Sequence, residues 1–156
     1  MAWVLVVVIA VNLIDGLDGL ASGVVLIAAA TLWWVGRSHA DFYVMFLSSL
    51  LIGSTLGFLR WNFHPASIFI GTSGVMFLGY TLALLSILGS AKVVVALLVL
   101  GVPIIDTFYI IVRRISRGRS PCSADRGHIH HRLLDMGLTQ TQTVLLIYAI
   151  CAGLGV

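Results

Sequence analysis

Glutamate is missing from this chain: all six acidic residues are aspartate, and lysine occurs once, at position 92. Glutamate is a preferred filler of water-exposed helix surface, so its absence argues against a chain of solvated helices. Only 10% of the 156 residues are charged, against about 25% in soluble domains, which excludes an ordinary water-soluble fold. Cysteine is almost as scarce. Cys122 sits in a polar stretch and Cys151 in an apolar run, which excludes a disulfide framework and a cysteine metal site. The first fifteen residues, MAWVLVVVIAVNLID, have no basic segment and no small-residue cleavage site, so they do not read as a signal peptide.

What fills the chain instead is apolar. Hydrophobic residues make up 60% of it and the mean hydropathy is +1.09. A membrane-spanning helix needs roughly 20 apolar residues. The apolar runs 2–14, 20–35, 42–59, 68–88, 91–112 and 141–156 therefore predict an all-α, polytopic transmembrane bundle of about six spans, forming one membrane domain over 1–156. The formal charge is +3, but the basic residues are dispersed among apolar runs, where they set topology, so no nucleic-acid partner is expected. If 113–140 is cytoplasmic, alternation places Arg60, Arg113, Arg114, Arg117, Arg119, Arg126 and Arg132 on that side, and only Arg37 and Lys92 opposite. That is the positive-inside pattern.

Three polar clusters interrupt the apolar sequence, and alternation puts all three on the cytoplasmic face. The first is Asn12-Leu13-Ile14-Asp15-Gly16-Leu17-Asp18-Gly19. Two aspartates three residues apart share a face if the segment is helical. Paired carboxylates beside an amide suit Mg²⁺, which takes oxygen ligands and shares substrate phosphates; a solvated Asp-Gly turn is the plainer alternative. The second cluster lies in 113–140. Pro121 interrupts this stretch, Ser123 or Asp125 can cap a short helix, and Gly137 ends it. Thr139 and Gln142 then form a capping box for the last span. Arg126, His128, His130, His131 and Arg132 fall on that short amphipathic helix at the membrane surface. Arginine forks and imidazoles there suit a pyrophosphate or nucleotide; fixing topology, anionic lipid or zinc are the alternatives. The third cluster, Gly71-Thr72-Ser73-Gly74, follows Asn62, His64 and Pro65. It reads as close helix packing or as hydroxyls lining a polar cavity. Asp106, seven residues before Arg113, is an acid at membrane depth, either functional or paired with an arginine.

The segments AVNLIDGLDGLASG, GFLRWNFHPASIFIGTSG and PIIDTFYIIVRRISRGRSPCSADRGHIHHRLLDMG together resemble the polyprenyl-phosphate sugar-1-phosphate transferases. The His-Ile-His-His run looks closer to their N-acetylglucosamine branch than to their pentapeptide branch. The resemblance implies the C-terminal portion of that fold, with the N-terminal portion absent. It implies transfer of a sugar 1-phosphate from a UDP-sugar to undecaprenyl phosphate with release of UMP, supported by Mg²⁺. The setting would be cell-envelope glycan synthesis at the cytoplasmic face of the inner (plasma) membrane. Asp15 and Asp18 would be catalytic or nucleotide-orienting, and Asn12 a metal ligand. Arg126, His128, His130, His131 and Arg132 would hold the phosphates of the sugar nucleotide. The chain departs from the family pattern at Thr72, where an aspartate Mg²⁺ ligand is expected, at Ile9 (usually Asn) and at Ser67 (often Arg or Lys). Those departures keep open an inactive or split homologue that binds lipid phosphate or a partner chain, as a homodimer or with an N-terminal half supplied separately.

Overall fold

The computed structural model describes residues 1–88 and 133–155, and between them 100, 101, 104, 105, 108, 109, 112 and 116. Its main helices are α1 (Ala2–Ile14), α2 (Leu20–Ser38), α3 (Phe42–Asn62), α4 (Gly71–Ile87) and α5 (Gln140–Gly155). There is no strand among the described residues. Five of the six apolar runs thus emerge as helices. The sixth, 91–112, lies largely outside the described residues, as do Asp106 and the amphipathic His/Arg segment with Arg126, His128, His130, His131 and Arg132.

Two helices, α2 with 19 residues and α3 with 21, are long and apolar enough to cross a membrane, while α1, α4 and α5 are shorter apolar helices. Helix α3 turns Phe42, Tyr43, Phe46, Leu47, Leu50 and Leu56 outward, a surface suited to lipid rather than water. Its outer residues Tyr43 and Trp61 are eighteen positions apart, about 27 Å of helix rise, close to the roughly 30 Å of a hydrocarbon core. A cation rests on an indole at each level: Arg60 lies 5.5 Å from the Trp61 ring and Arg37 lies 5.9 Å from the Trp33 ring. Such pairs suit the membrane–water boundary.

Helix α2 is the centre of the bundle and packs on α3, α5, α4 and α1. In lipid, helices gain little from apolar burial and associate through close packing. The sequence supplies that through small residues: Ala21, Ser22, Gly23, Ala28, Ala29 and Gly36 of α2 are all buried. At Gly36 an added methyl would sit 3.1 Å from Val44 Cγ1 across the α2–α3 hairpin. Asp41 closes that hairpin, its carboxylate accepting the Val44 N–H at 3.2 Å. Helices α1 and α4 run antiparallel in similarly close contact. Trp3 Nε1 donates to Ser86 Oγ at 2.7 Å, and an added Cβ at Gly79 would lie 3.0 Å from Val8 Cα.

Two of the capping signals read from the sequence, Gly137 and the Thr139–Gln142 box, are realised, while Pro121 and the Ser123 or Asp125 cap lie outside the described residues. Thr139 N–H donates to Gln142 Oε1 at 3.0 Å and Gln142 N–H to Thr139 Oγ1 at 3.3 Å, the reciprocal capping box. Just before it, Gly137 takes φ +91°. Its N–H bonds Leu134 O and the Leu138 N–H bonds Leu133 O, the paired closure that a left-handed glycine allows at a helix end.

Candidate functional site

One end of the bundle collects the polar residues of the first and third sequence clusters. Helix α1 reaches it at Asn12–Ile14, α2 leaves it at Gly19, α3 returns to it at Arg60–Asn62 and α4 starts from it at Gly71. The Asp15–Gly19 segment is a turn rather than a helix. Asp15 and Asp18 are therefore not a helical i, i+3 pair, and the chain reversal gives them different surroundings. Gly19 stands at φ +78° with its outer side against Phe63, which explains a glycine immediately before α2.

Asp18 is held. Its Oδ2 accepts from His64 Nδ1 at 2.9 Å and from the Ala66 N–H at 3.2 Å. The donors come from the α3–α4 connection, more than forty residues away. That connection is itself braced: buried Asn62 accepts the Ser22 hydroxyl of α2 at 2.8 Å and donates to Ile68 O at 3.0 Å. Trp61 O accepts the Ser67 and Ile68 N–H groups. The His64–Pro65 peptide bond is cis.

Asp15 differs. It caps the end of α1, is exposed, and has no hydrogen-bond or ion-pair partner among the described residues. Partial desolvation by the surrounding bundle end nevertheless raises its carboxyl pKa above the ordinary 3.8. Asn12 is half-buried one turn earlier on α1. The α1–α4 register, fixed by Trp3–Ser86 and by Gly79 against Val8 and Val11, carries the last turn of α1 alongside the first turns of α4. Thr72 and Ser73 are exposed there.

A further brace comes from α5. The Tyr148 hydroxyl donates to Gly19 O at 2.5 Å, and the phenol fills the space a side chain at Gly23 would need. The turn bearing both aspartates is thus tied to the α3–α4 connection through His64 and to α5 through Tyr148. From the sequence His64 reads only as a neighbour of the third cluster, and Ser22, Asn62 and Tyr148 carry no local signal as supports. A histidine beside proline in a loop on the aspartate side was the available signal.

Among the described residues no three histidine, cysteine or acidic side chains gather into a metal cluster. Mg²⁺, however, is commonly held by one or two carboxylates with substrate phosphates and water completing its shell. The Asp15 carboxylate, unpartnered among the described residues, with the Asn12 amide a turn away on α1 fits that sparse kind of site.

A groove also reaches this end. Between α3 and α4 lies a cavity of about 300 Å³ lined by Ser54, Thr55, Phe58, Ile70, Gly74 and Phe77, among others. A larger apolar cavity of about 810 Å³, sharing Ser54 and Phe77, runs on to Leu47, Ile87 and Leu88 at the other end.

Fold and site together define a protein that is helical throughout its described elements, with two helices long and apolar enough to cross a membrane and acids, amide and imidazole at one end. Residues 1–90 match the family model described as glycosyl transferase family 4, and the chain belongs to that family. It is 45% identical over 154 residues to the Bacillus subtilis (strain 168) protein named "Probable undecaprenyl-phosphate N-acetylglucosaminyl 1-phosphate transferase", a match covering 95% of this chain and 43% of that protein. It is 44% identical over 168 residues to the decaprenyl-phosphate N-acetylglucosaminephosphotransferase of Mycobacterium leprae (strain TN), covering 91% and 42%. The phospho-N-acetylmuramoyl-pentapeptide-transferase of Halalkalibacterium halodurans is 32% identical over 144 residues, covering 90% and 43%. The chain thus spans less than half the length of each of these relatives.

Proposed function

We propose that this chain carries the acidic end of an enzyme that moves a sugar 1-phosphate, N-acetylglucosamine 1-phosphate, from its UDP-sugar to undecaprenyl phosphate. The carrying observation is the convergence at one bundle end of Asn12, Asp15, which has no partner among the described residues, and the braced Asp18, in a member of glycosyl transferase family 4. The higher identity to the two N-acetylglucosamine relatives than to the pentapeptide relative supports that sugar. The positive-inside pattern supports a cytoplasmic site on the plasma membrane, serving cell-envelope glycan synthesis.

In this reaction a lipid-phosphate oxygen attacks the β-phosphorus, the α–β anhydride bond breaks, and its electrons leave with UMP. A phosphate monoester has its second pKa near 6, so the attacking group is largely dianionic at neutral pH. The task is to bring anions together and orient them. Asp18, fixed by His64 and Ala66, offers a rigid acceptor for ribose, sugar or water. Arg126, His128, His130, His131 and Arg132, which lie outside the described residues, are proposed to hold the phosphates. Mg²⁺ is part of the proposal: Asn12 would hold it beside Asp15, and it supplies neutralisation of phosphate charge. The groove between α3 and α4 suits the apolar tail of a lipid substrate.

Thr72 favours a second reading. Its hydroxyl stands on the first turn of α4, where the resemblance expects a carboxylate, and a neutral hydroxyl is a weaker ligand for a hard cation. That substitution suits a homologue that binds lipid phosphate or a partner chain without turnover. Membranes containing the chain, supplied with UDP-N-acetylglucosamine, undecaprenyl phosphate and Mg²⁺, are expected to release UMP. No UMP from the wild type, with release gained in Thr72→Asp, would establish the second reading.

A further inference from the structure

The two aspartates of the turn are chemically unequal, and the difference lies in a residue that the family resemblance did not bring forward. Asp18 Oδ2 already accepts the Ala66 N–H. A carboxylate oxygen accepts rather than donates, so the nitrogen of His64 that meets it at 2.9 Å, Nδ1, carries the proton. The imidazole side chain is 39% exposed and the carboxylate 21%, so the pair lies at the rim of the site, accessible to solutes. Asp18 Oδ1 and His64 Nε2 have no partner among the described residues.

We infer that His64 is a positioning residue for Asp18: it locks the carboxylate in one orientation and so leaves Oδ1 as the atom presented to the substrate. This rests on the transferase reading above and adds to it a specific part for the α3–α4 connection. One hydrogen bond from Ala66 leaves the carboxylate free to pivot about Oδ2; a second donor to the same oxygen, from a different direction, removes that freedom. The brace must itself be stiff to have this effect. Here it is, because Asn62 is buried between Ser22 and Ile68 O and Trp61 O closes the loop behind it. Misplacing a reacting or orienting group by about 1 Å costs on the order of 10²-fold in rate, so a loosened Asp18 should appear in turnover before it appears in stability.

The test compares the wild type with His64→Leu and His64→Asn in the UMP-release assay. Asparagine places an amide donor close to the position of the imidazole Nδ1, whereas leucine keeps bulk and loses the donor. His64→Leu is expected to lower kcat by at least ~10-fold with the KM for UDP-N-acetylglucosamine nearly unchanged, and His64→Asn to stay within about 3-fold of wild type. Thermal unfolding in detergent should place both variants near the wild type, because Ala66 and Asn62 keep the loop. Histidine ¹⁵N spectra of the full chain in lipid should show a ring protonated on Nδ1, a signature that Asp18→Leu, which has no acceptor, removes. Wild-type turnover from His64→Leu, equal losses in both variants, or a ring protonated only on Nε2 would each overturn the inference. A wild type that releases no UMP would overturn the transferase reading and this inference with it, an outcome visible before any variant is compared.

Discussion

Asp15→Asn should reduce UMP release by at least ~10²-fold, the scale seen when one preorganised electrostatic group is removed from a site, while leaving the protein as stable as wild type or slightly more so. Both halves follow from one observation. Asp15 has an exposed carboxylate, unpartnered among the described residues, whose pKa is raised by desolvation. Asparagine keeps its size and removes the charge that the proposed site would use on phosphate, metal or sugar. For stability, a carboxyl whose folded pKa lies above its unfolded value binds protons more tightly when folded. The folded state is then favoured at low pH, and stability falls as pH rises from 3.8 through the raised folded pKa. At neutral pH the ionised Asp15 therefore costs the fold a little, and Asn removes that cost. Thermal unfolding across pH 4 to 7 checks this: the fall with rising pH assigned to Asp15 should vanish in Asp15→Asn. A variant with full turnover would remove Asp15 from the site, and one that simply unfolded would make it structural.

The second large effect is on packing. Gly23→Ala should destabilise the bundle by about 1–3 kcal/mol, the usual range for overpacking, and should also slow turnover. The new methyl would occupy the place of the Tyr148 phenol, so the ring must leave. With it goes the hydrogen bond from its hydroxyl to Gly19 O, which ties α5 to the turn bearing Asp15 and Asp18. The diagnostic is non-additivity, because residues that compete for one space are coupled. Tyr148→Ala alone should destabilise by opening a cavity, and adding Gly23→Ala to it should cost little or restore some stability, since the methyl then fills part of the gap. Strictly additive losses in unfolding measurements would mean that Gly23 and Tyr148 do not share that space.

Much of this organisation is legible in the sequence because membrane helices leave long apolar signatures. Helix α1 follows its predicted run, Ala2–Ile14, and the α5 start is announced by Thr139 and Gln142. The ends that differ do so for local reasons. Helix α2 continues through Arg37 and Ser38 and α3 through Arg60 and Asn62, polar residues that hydropathy excludes. Both arginines lie over indoles at the bundle ends, where a charged head can stay in water above an apolar stem. Conversely, Ile68, Phe69 and Ile70 read as the start of a span but precede α4, in the connection that Asn62 and Trp61 fold back. The described part of the site is legible as polar residues between the apolar runs, Asn12, Asp15, Asp18 and Thr72. Their pairing is not, because Asp18 and His64 are 46 positions apart and Gly19 and Tyr148 are 129 apart. No local pattern encodes contacts at such separations.

The fate of the β-phosphorus tests the central claim most directly. Membranes carrying the chain are incubated with UDP-N-acetylglucosamine labelled with ³²P in the β-phosphate, undecaprenyl phosphate and Mg²⁺, and then extracted with butanol. Transfer of a sugar 1-phosphate places the label in the lipid phase and leaves unlabelled UMP in the water. Label that stays in water as UDP, or no transfer at all, would contradict the account.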